Sequence, residues 1–175
     1  MADMLVKLYA LPEITPVLED LQKNGIEIRL AAPSEKPTIV KWVSQHFQET
    51  WANECEVALE QRPVTCYIAV EKRPIQPPAH DPYTLPPEVL VGFACYAAVS
   101  KGMFGPEGVR DDYRGRGIGK GLLLACLHAM RAERYAYAVI GWAGPVEFYK
   151  RTVGATLIEN SEPGIFRGPL IGGVE

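Results

Sequence analysis

Apolar positions recur along this chain with two periods, and the handovers between them outline the elements. From Ile26 to Ala31, Ile26, Ile28 and Leu30 alternate against Glu27 and Arg29, the pattern of a half-buried strand. Further on, Ile39, Val40, Val43 and Phe47 fall on one stripe at helical spacing, with Ser34 expected as N-cap and Pro37 in the first turn. Earlier, Leu5 to Leu8 reads as a short strand and Ile14 to Lys23 as an amphipathic helix stopped by Asn24-Gly25. Trp51 to Gln61 continues as a second helix after the first stripe. Val64 to Val70 is β-branched and aromatic, hence a strand, and Val89 to Val99 is a strongly apolar one carrying Gly92. Met103 to Val109 is interrupted by Gly105-Pro106; a proline cannot donate to a ladder, so this strand should bulge or splay. Tyr135 to Gly141 is the next strand. Gly144-Pro145 opens a short helix that Gly154 ends, and residues 155–160 and 165–170 flank Pro163-Gly164 as an expected C-terminal hairpin.

The strand ending at Val109 runs through a glycine-rich turn into the most apolar helix, where Ile118, Leu122, Ala125 and Ala129 share a face to about Arg134. Between them, residues 114–121 hold four glycines and three cations in eight positions. A helix start carries unpaired N–H groups and the positive end of the macrodipole, and glycines leave those donors open, so a phosphate or pyrophosphate is invited. Gly119 and Gly121 each cost roughly 1 kcal/mol relative to alanine inside a helix, so both need a reason. The dinucleotide fingerprint G-x-G-x-x-G fails from Gly115, which meets Lys120, and from Gly117, which meets Leu122. The P-loop pattern fails as well, with Arg114 and Gly121 at its required positions. What fits is R-x-x-G-x-G, as Arg114, Gly117 and Gly119.

Composition narrows the partners. At 175 residues the chain reads as one domain, 1–175, with no repeat or linker to divide it. A net charge of −3 argues against nucleic acid, whose binding rests on clustered excess cation. No apolar run approaches the roughly 18 residues of a membrane span, and the N-terminal stretch lacks a signal-peptide pattern, so a cytoplasmic protein is expected. Cys55, Cys66, Cys95 and Cys126 are widely spaced without a C-x-x-C, and read as reduced, mostly buried thiols. With His46, His80 and His128 the whole histidine complement, no metal is expected. Six of the fifteen prolines fall between Arg73 and Glu88, a loop that is either a surface excursion or a lip over a ligand site.

The Arg114–Gly117–Gly119 loop, followed about 30 residues later by Gly144-Pro145-Val146-Glu147-Phe148-Tyr149 and Val153-Gly154-Ala155, resembles the GNAT superfamily of N-acetyltransferases. The resemblance covers residues 89 to 170 well, as a CoA-binding half. Residues 1 to 88 match in element order only, as the acceptor-side half. It implies a mixed α/β fold: a mostly antiparallel twisted sheet of six to seven strands, two central parallel strands splayed apart, and helices on both faces. It implies acetyl-CoA as co-substrate and direct transfer to a primary amine of a small molecule or protein within a ternary complex. It places the cofactor on Val109, Arg110, Arg114, Gly115, Arg116, Gly117, Ile118, Gly119, Lys120 and Phe148. Tyr149 matches the family tyrosine that protonates the leaving thiolate. For the general base, Glu107 shares a face with Val109, and a chain of ordered waters is the alternative; the family's own base glutamate stands further upstream, where this chain has Met103. Where the family often has asparagine before the Phe-Tyr helix, this chain has Trp142 and Gly144-Pro145. A non-catalytic acyl-CoA sensor and a transferase using another acyl-CoA are the rival readings, and a homodimer is compatible with the fold.

Overall fold

The structure, a computed structural model, describes residues 1–74 and 87–165. Its strands are β1 (Met4–Lys7), β2 (Ile26–Leu30), β3 (Cys66–Lys72), β4 (Glu88–Tyr96), β5 (Met103–Val109), β6 (Tyr137–Ile140) and β7 (Thr156–Leu157). Its helices are α1 (Thr15–Lys23), α2 (Lys36–His46), α3 (Glu49–Glu60), α4 (Ile118–Ala132) and α5 (Val146–Val153). The seven strands form one sheet in the order β2-β3-β4-β5-β6-β1-β7. All neighbours are antiparallel except β5 and β6, which run parallel. This is the mixed fold that the resemblance implies, with seven strands.

Strand alternation sends side chains to two separate cores. On one face α1, α4 and α5 pack over Ala69, Val91, Ala94, Tyr96 and Phe104; on the other α2 and α3 cover Cys66, Ile68, Val70, Phe93 and Cys95. Helix α4 buries a broad apolar face, with Ile118, Leu122, Leu123, Leu124, Leu127 and Met130 fully buried and Lys120 and Arg131 left to solvent. At about 1.5–3 kcal/mol for each large apolar side chain, that burial makes α4 the most firmly anchored helix and its N-terminus a fixed platform. Gly121 has its reason here: a side chain at this position would run into Leu21 of α1 and Ile28 of β2.

Three local expectations resolve differently. Ser34 does not cap α2; residues Pro33–Glu35 form a 3-10 turn instead. The Glu35 carboxylate reaches back to the Ala32 N–H at 2.6 Å and pairs with both Arg29 guanidinium nitrogens, so the longer acidic side chain gains two partners that a serine hydroxyl cannot reach. No C-terminal hairpin forms among the described residues: β7 pairs with β1, Met4 opposite Leu157, and Ile165 lies in a turn, while 166–170 fall outside the described residues. The N-terminal strand thus occupies the slot between β6 and β7, and strand pairing satisfies β7 without a following strand. Asp3 secures it, donating its N–H to Ser161 Oγ at 2.8 Å and accepting from the Trp142 N–H at 3.0 Å. The bulge is present as expected. Gly105 and Pro106 together oppose the single residue Cys95, between the pairs Ala94–Glu107 and Tyr96–Phe104.

Among the described residues, no helix is long and apolar enough to cross a membrane. The base of the proline-rich excursion is closed by the Arg73 N–H on the Pro87 carbonyl at 2.9 Å; residues 75–86, and with them the lip reading, lie outside the described residues.

Candidate active site

The parallel pair β5–β6 stays in register for two positions, Met103 with Val139 and Phe104 with Ile140. Beyond Phe104 the bulge turns β5 away, and among the described residues Glu107 to Val109 keep β4 as their sole strand partner. A gap therefore opens between the C-terminal end of β5 and β6. Its edge is polar in a defined way. Arg110 donates its N–H to the Val91 carbonyl on β4, so strand alternation turns the Val109 N–H toward the opposite, β6 edge.

Beside this gap the chain enters α4 through Gly117, whose φ of +82° puts it in the left-handed region that favours glycine. Among the described residues no side chain caps the helix. The first intrahelical bond runs from the Gly121 N–H to the Gly117 carbonyl, at 3.0 Å. The amides of residues 115–120 find no acceptor among the described residues, whereas the Arg114 amide is spent on the Asp111 carbonyl at 3.2 Å. Six consecutive donors are thus left open at the positive end of the helix dipole, with Arg114 contributing only its side chain.

The loop's cations are held close by. Arg110 pairs with Asp112 at 2.6 Å and Arg114 with Asp111 at 2.8 Å. The guanidinium groups of Arg110 and Arg116 lie 4.6 and 4.5 Å from the ring centre of the buried Tyr113. Tyr113 is therefore the pillar that organises the loop arginines, a role the loop pattern does not show. Lys120 is exposed at the mouth of a cavity of about 300 Å³ that Arg116 and Gly117 also line. Its far wall is Pro16, Val17, Asp20 and Leu21 of α1.

Four of the sequence-predicted residues meet at one point. A side chain on Gly119 would begin 3.4 Å from Glu107 Oε1, 3.8 Å from Val109 and 3.9 Å from Phe148. Glu107 Oε1 is sealed from solvent and has no hydrogen-bond partner among the described residues, and burial pushes the carboxyl up to about 8. Tyr149 is buried on α5, edge-on to Phe104 and Phe148 with ring centres 6.4 and 5.2 Å apart. Burial, and next the nearness of Glu107, raises its phenol above the ordinary value. Two groups thus stand at the gap with their protons on at neutral pH: a carboxyl that titrates just above it and a phenol that does not titrate in the physiological range.

The description "Acetyltransferase (GNAT) family" matches residues 37–155. The chain belongs to the GNAT acetyltransferase family. The match starts at α2 and leaves out β1, α1 and β2, so the strand between β6 and β7 and the α1 wall of the cavity lie outside it. Solved structures agree on the fold. The glucosamine N-acetyltransferase region of a fungal multi-domain GH3 β-N-acetylglucosaminidase is similar over 90% of this chain and 19% of its own, at 15% identity and a TM-score of 0.66. A GCN5-related N-acetyltransferase from Sphaerobacter thermophilus is similar over 90% of this chain and 48% of its own, at 20% identity and a TM-score of 0.56. A GCN5-related N-acetyltransferase-like protein from Streptococcus suis gives 91%, 58%, 15% and 0.53 respectively. The chain spans about a fifth of the first and about half of the other two, and at these identities the likeness speaks to fold alone. No curated protein matches the chain.

On the other face of this GNAT sheet, Gly108 admits an aromatic ring. A Cβ at Gly108 would lie 2.6–2.9 Å from three atoms of Phe47, whose ring also packs on Trp51 and Phe93 with centres 5.6 Å away in each case. Phe47, His46, Arg110, Asp111 and Asp112 line a second cavity of about 270 Å³. Sequence reasoning placed Phe47 on a helical stripe and missed this contact; glycine beside a charged residue in a strand was its one available signal. Trp142, 40% exposed, is held by its indole N–H on the Pro163 carbonyl at 2.7 Å, which ties it to the C-terminal segment.

Proposed function

We propose that this chain transfers an acetyl group from acetyl-CoA to a primary amine by direct attack in a ternary complex. The observation that carries the reading is the junction of two features: open amides 115–120 at the start of α4, and a β5–β6 gap into which the Val109 N–H points. A pyrophosphate fits the first and an acyl thioester the second. Acetyl-CoA supplies a carbonyl activated by a thiol leaving group. The loop amides hold its diphosphate, with Arg116 and Lys120 at the cavity mouth adding charge. Phe148 beside Gly119 lines the passage between the two parts.

The incoming amine forms the new C–N bond as the C–S bond breaks. The Val109 N–H donates to the carbonyl oxygen as negative charge develops there. The proton lost by the amine passes to Glu107 in its ionised form, directly or through water, and the departing thiolate takes the phenolic proton of Tyr149. A base titrating near 8 is well matched to this task, because it gains a large ionised fraction without losing basicity.

Isothermal titration of the purified chain with acetyl-CoA, against CoA and ATP as controls, tests the cofactor; thiol release over a panel of amines tests the transfer. Micromolar acetyl-CoA binding with no ATP response and amine-dependent thiol release support the reading. Absence of acetyl-CoA binding overturns it, and binding without transfer to any amine leaves an acyl-CoA sensor in its place.

A further inference from the structure

Cys55 of α3, Cys66 of β3 and Cys95 of β4 come together on the face of the sheet opposite α4, although 11 and 29 residues of sequence separate neighbours in the series. Cys66 and Cys95 are directly opposed across the β3–β4 ladder, and α3 lays Cys55 over the pair. The Cys55 and Cys66 sulfurs are 3.9 Å apart, and all three sulfurs lie within 4.8 Å of one another. All three are fully buried among Ile39, Val43, Leu59, Ile68 and Phe93. The fourth cysteine, Cys126, belongs to the other core.

We propose that these three thiols form a site for a soft, three-coordinate cation, and that Cu(I) is its ligand. The 3.9 Å spacing is that of free thiols in contact and excludes a disulfide, whose S–S bond needs about 2.05 Å. Thiolate–metal bonds of about 2.3 Å place the sulfurs of a trigonal set about 4 Å apart, which is the spacing seen between Cys55 and Cys66. The surroundings then choose the ion. Zinc takes a fourth ligand, yet among the described residues the group consists of the three cysteines alone, and its full burial leaves no opening for water. Calcium and magnesium need oxygen ligands. All-sulfur coordination selects soft ions, Cu(I) among them. The sulfurs bind as thiolates, so each ligating thiol gives up its proton to solvent as the ion enters, and retention of the ion should strengthen as pH rises. The copper stays monovalent throughout, so no oxidant or reductant is involved. The ion would tie α3 to the β3–β4 hairpin, one strand away from the β5 edge of the candidate active site.

The test is anaerobic titration of the reduced full-length chain with Cu(I) in competition with bathocuproine disulfonate, followed by X-ray absorption at the copper edge and a thermal melt. The expected result is one Cu(I) retained per chain, three sulfur neighbours with no nitrogen or oxygen, and a higher Tm with the ion bound. Cys126→Ala retains the ion, while Cys55→Ala and Cys95→Ala, each checked for folding by circular dichroism, weaken it at least tenfold. Loss of all copper from the wild type to the chelator, a nitrogen or oxygen ligand in the absorption spectrum, or undiminished affinity in a folded Cys55→Ala chain overturns the proposal. Should both variants fail to fold, stoichiometry and the sulfur count in the wild type decide alone.

Discussion

Glu107 Oε1 on β5 lies 3.4 Å from the position where a side chain on Gly119 of α4 would begin. This pair joins the two halves of the candidate site, since Gly119 belongs to the row of open amides and Glu107 to the strand that borders the gap. It also explains why a glycine is kept one residue inside a helix. A methyl group here would stand between the carboxyl, Val109 and Phe148, in the one place where all three face the helix start.

Gly119→Ala therefore separates stability from binding. The methyl finds ordinary contact distances, so the helix gains its propensity term and the free protein is expected to be more stable by about 0.5–1 kcal/mol in denaturant unfolding. Acetyl-CoA affinity measured by titration is expected to fall at least tenfold.

Gly117→Glu acts differently. The space beside Gly117 is open, but its φ of +82° strains any L residue by roughly 1–2 kcal/mol, and the new carboxylate sits among the amide donors. The variant should fold with a modestly lowered Tm and show no measurable acetyl-CoA binding. Unchanged affinity in the folded variant would remove the pyrophosphate assignment.

The pH dependence follows from Glu107. Its carboxyl is raised from 4.5 to about 8 by burial, so the folded state holds this proton more tightly than the unfolded chain does. Ionising it costs stability: the cost is absent below the unfolded value, grows as pH rises from there toward 8, and is complete above 8. Relative to Glu107→Gln, the wild type is expected to lose stability across that interval, as chemical denaturation at pH 5 and pH 8.5 can measure. In catalysis the sign reverses, because the ionised form is the base: kcat/KM should climb to a limb near 8 that Glu107→Gln lacks.

Tyr149→Phe is expected to lower kcat by about 10²-fold or more while acetyl-CoA affinity stays within about twofold, the signature of a proton donor. The phenol is held above its ordinary value, so its titration should leave no mark on the wild-type profile below pH 9. A wild-type turnover in the variant would reduce Tyr149 to a packing role against Phe104 and Phe148.

On the opposite face, Gly108→Ala drives a methyl into the Phe47 ring and is expected to cost about 1–3 kcal/mol by thermal or denaturant unfolding. Phe47→Leu should recover part of that loss in the double variant, because the clash is with the ring alone. Additive effects would show that the two residues do not meet.

The order of elements up to α5, the bulge at Gly105-Pro106, the glycine-rich entry to α4 and the apolar character of that helix were all legible in the sequence. Each depends on residues adjacent in the chain, through periodicity, proline's missing donor or the run of glycines over 115–121. The facing of Glu107 and Val109 on one side of β5 was legible for the same reason. The rest depended on partners distant in sequence. That Ser34 yields the cap to Glu35 is decided by Arg29, six residues back on β2. That β1 rather than a C-terminal hairpin pairs β7 is decided by backbone hydrogen bonds, which carry no sequence label and pair whichever strand the core brings alongside. The same holds for Phe47 against Gly108, for Tyr113 beneath Arg110 and Arg116, and for three cysteines of unremarkable spacing whose sulfurs share one buried point. Local propensity specified the parts and the chemistry they carry; packing across the sheet decided which of them meet.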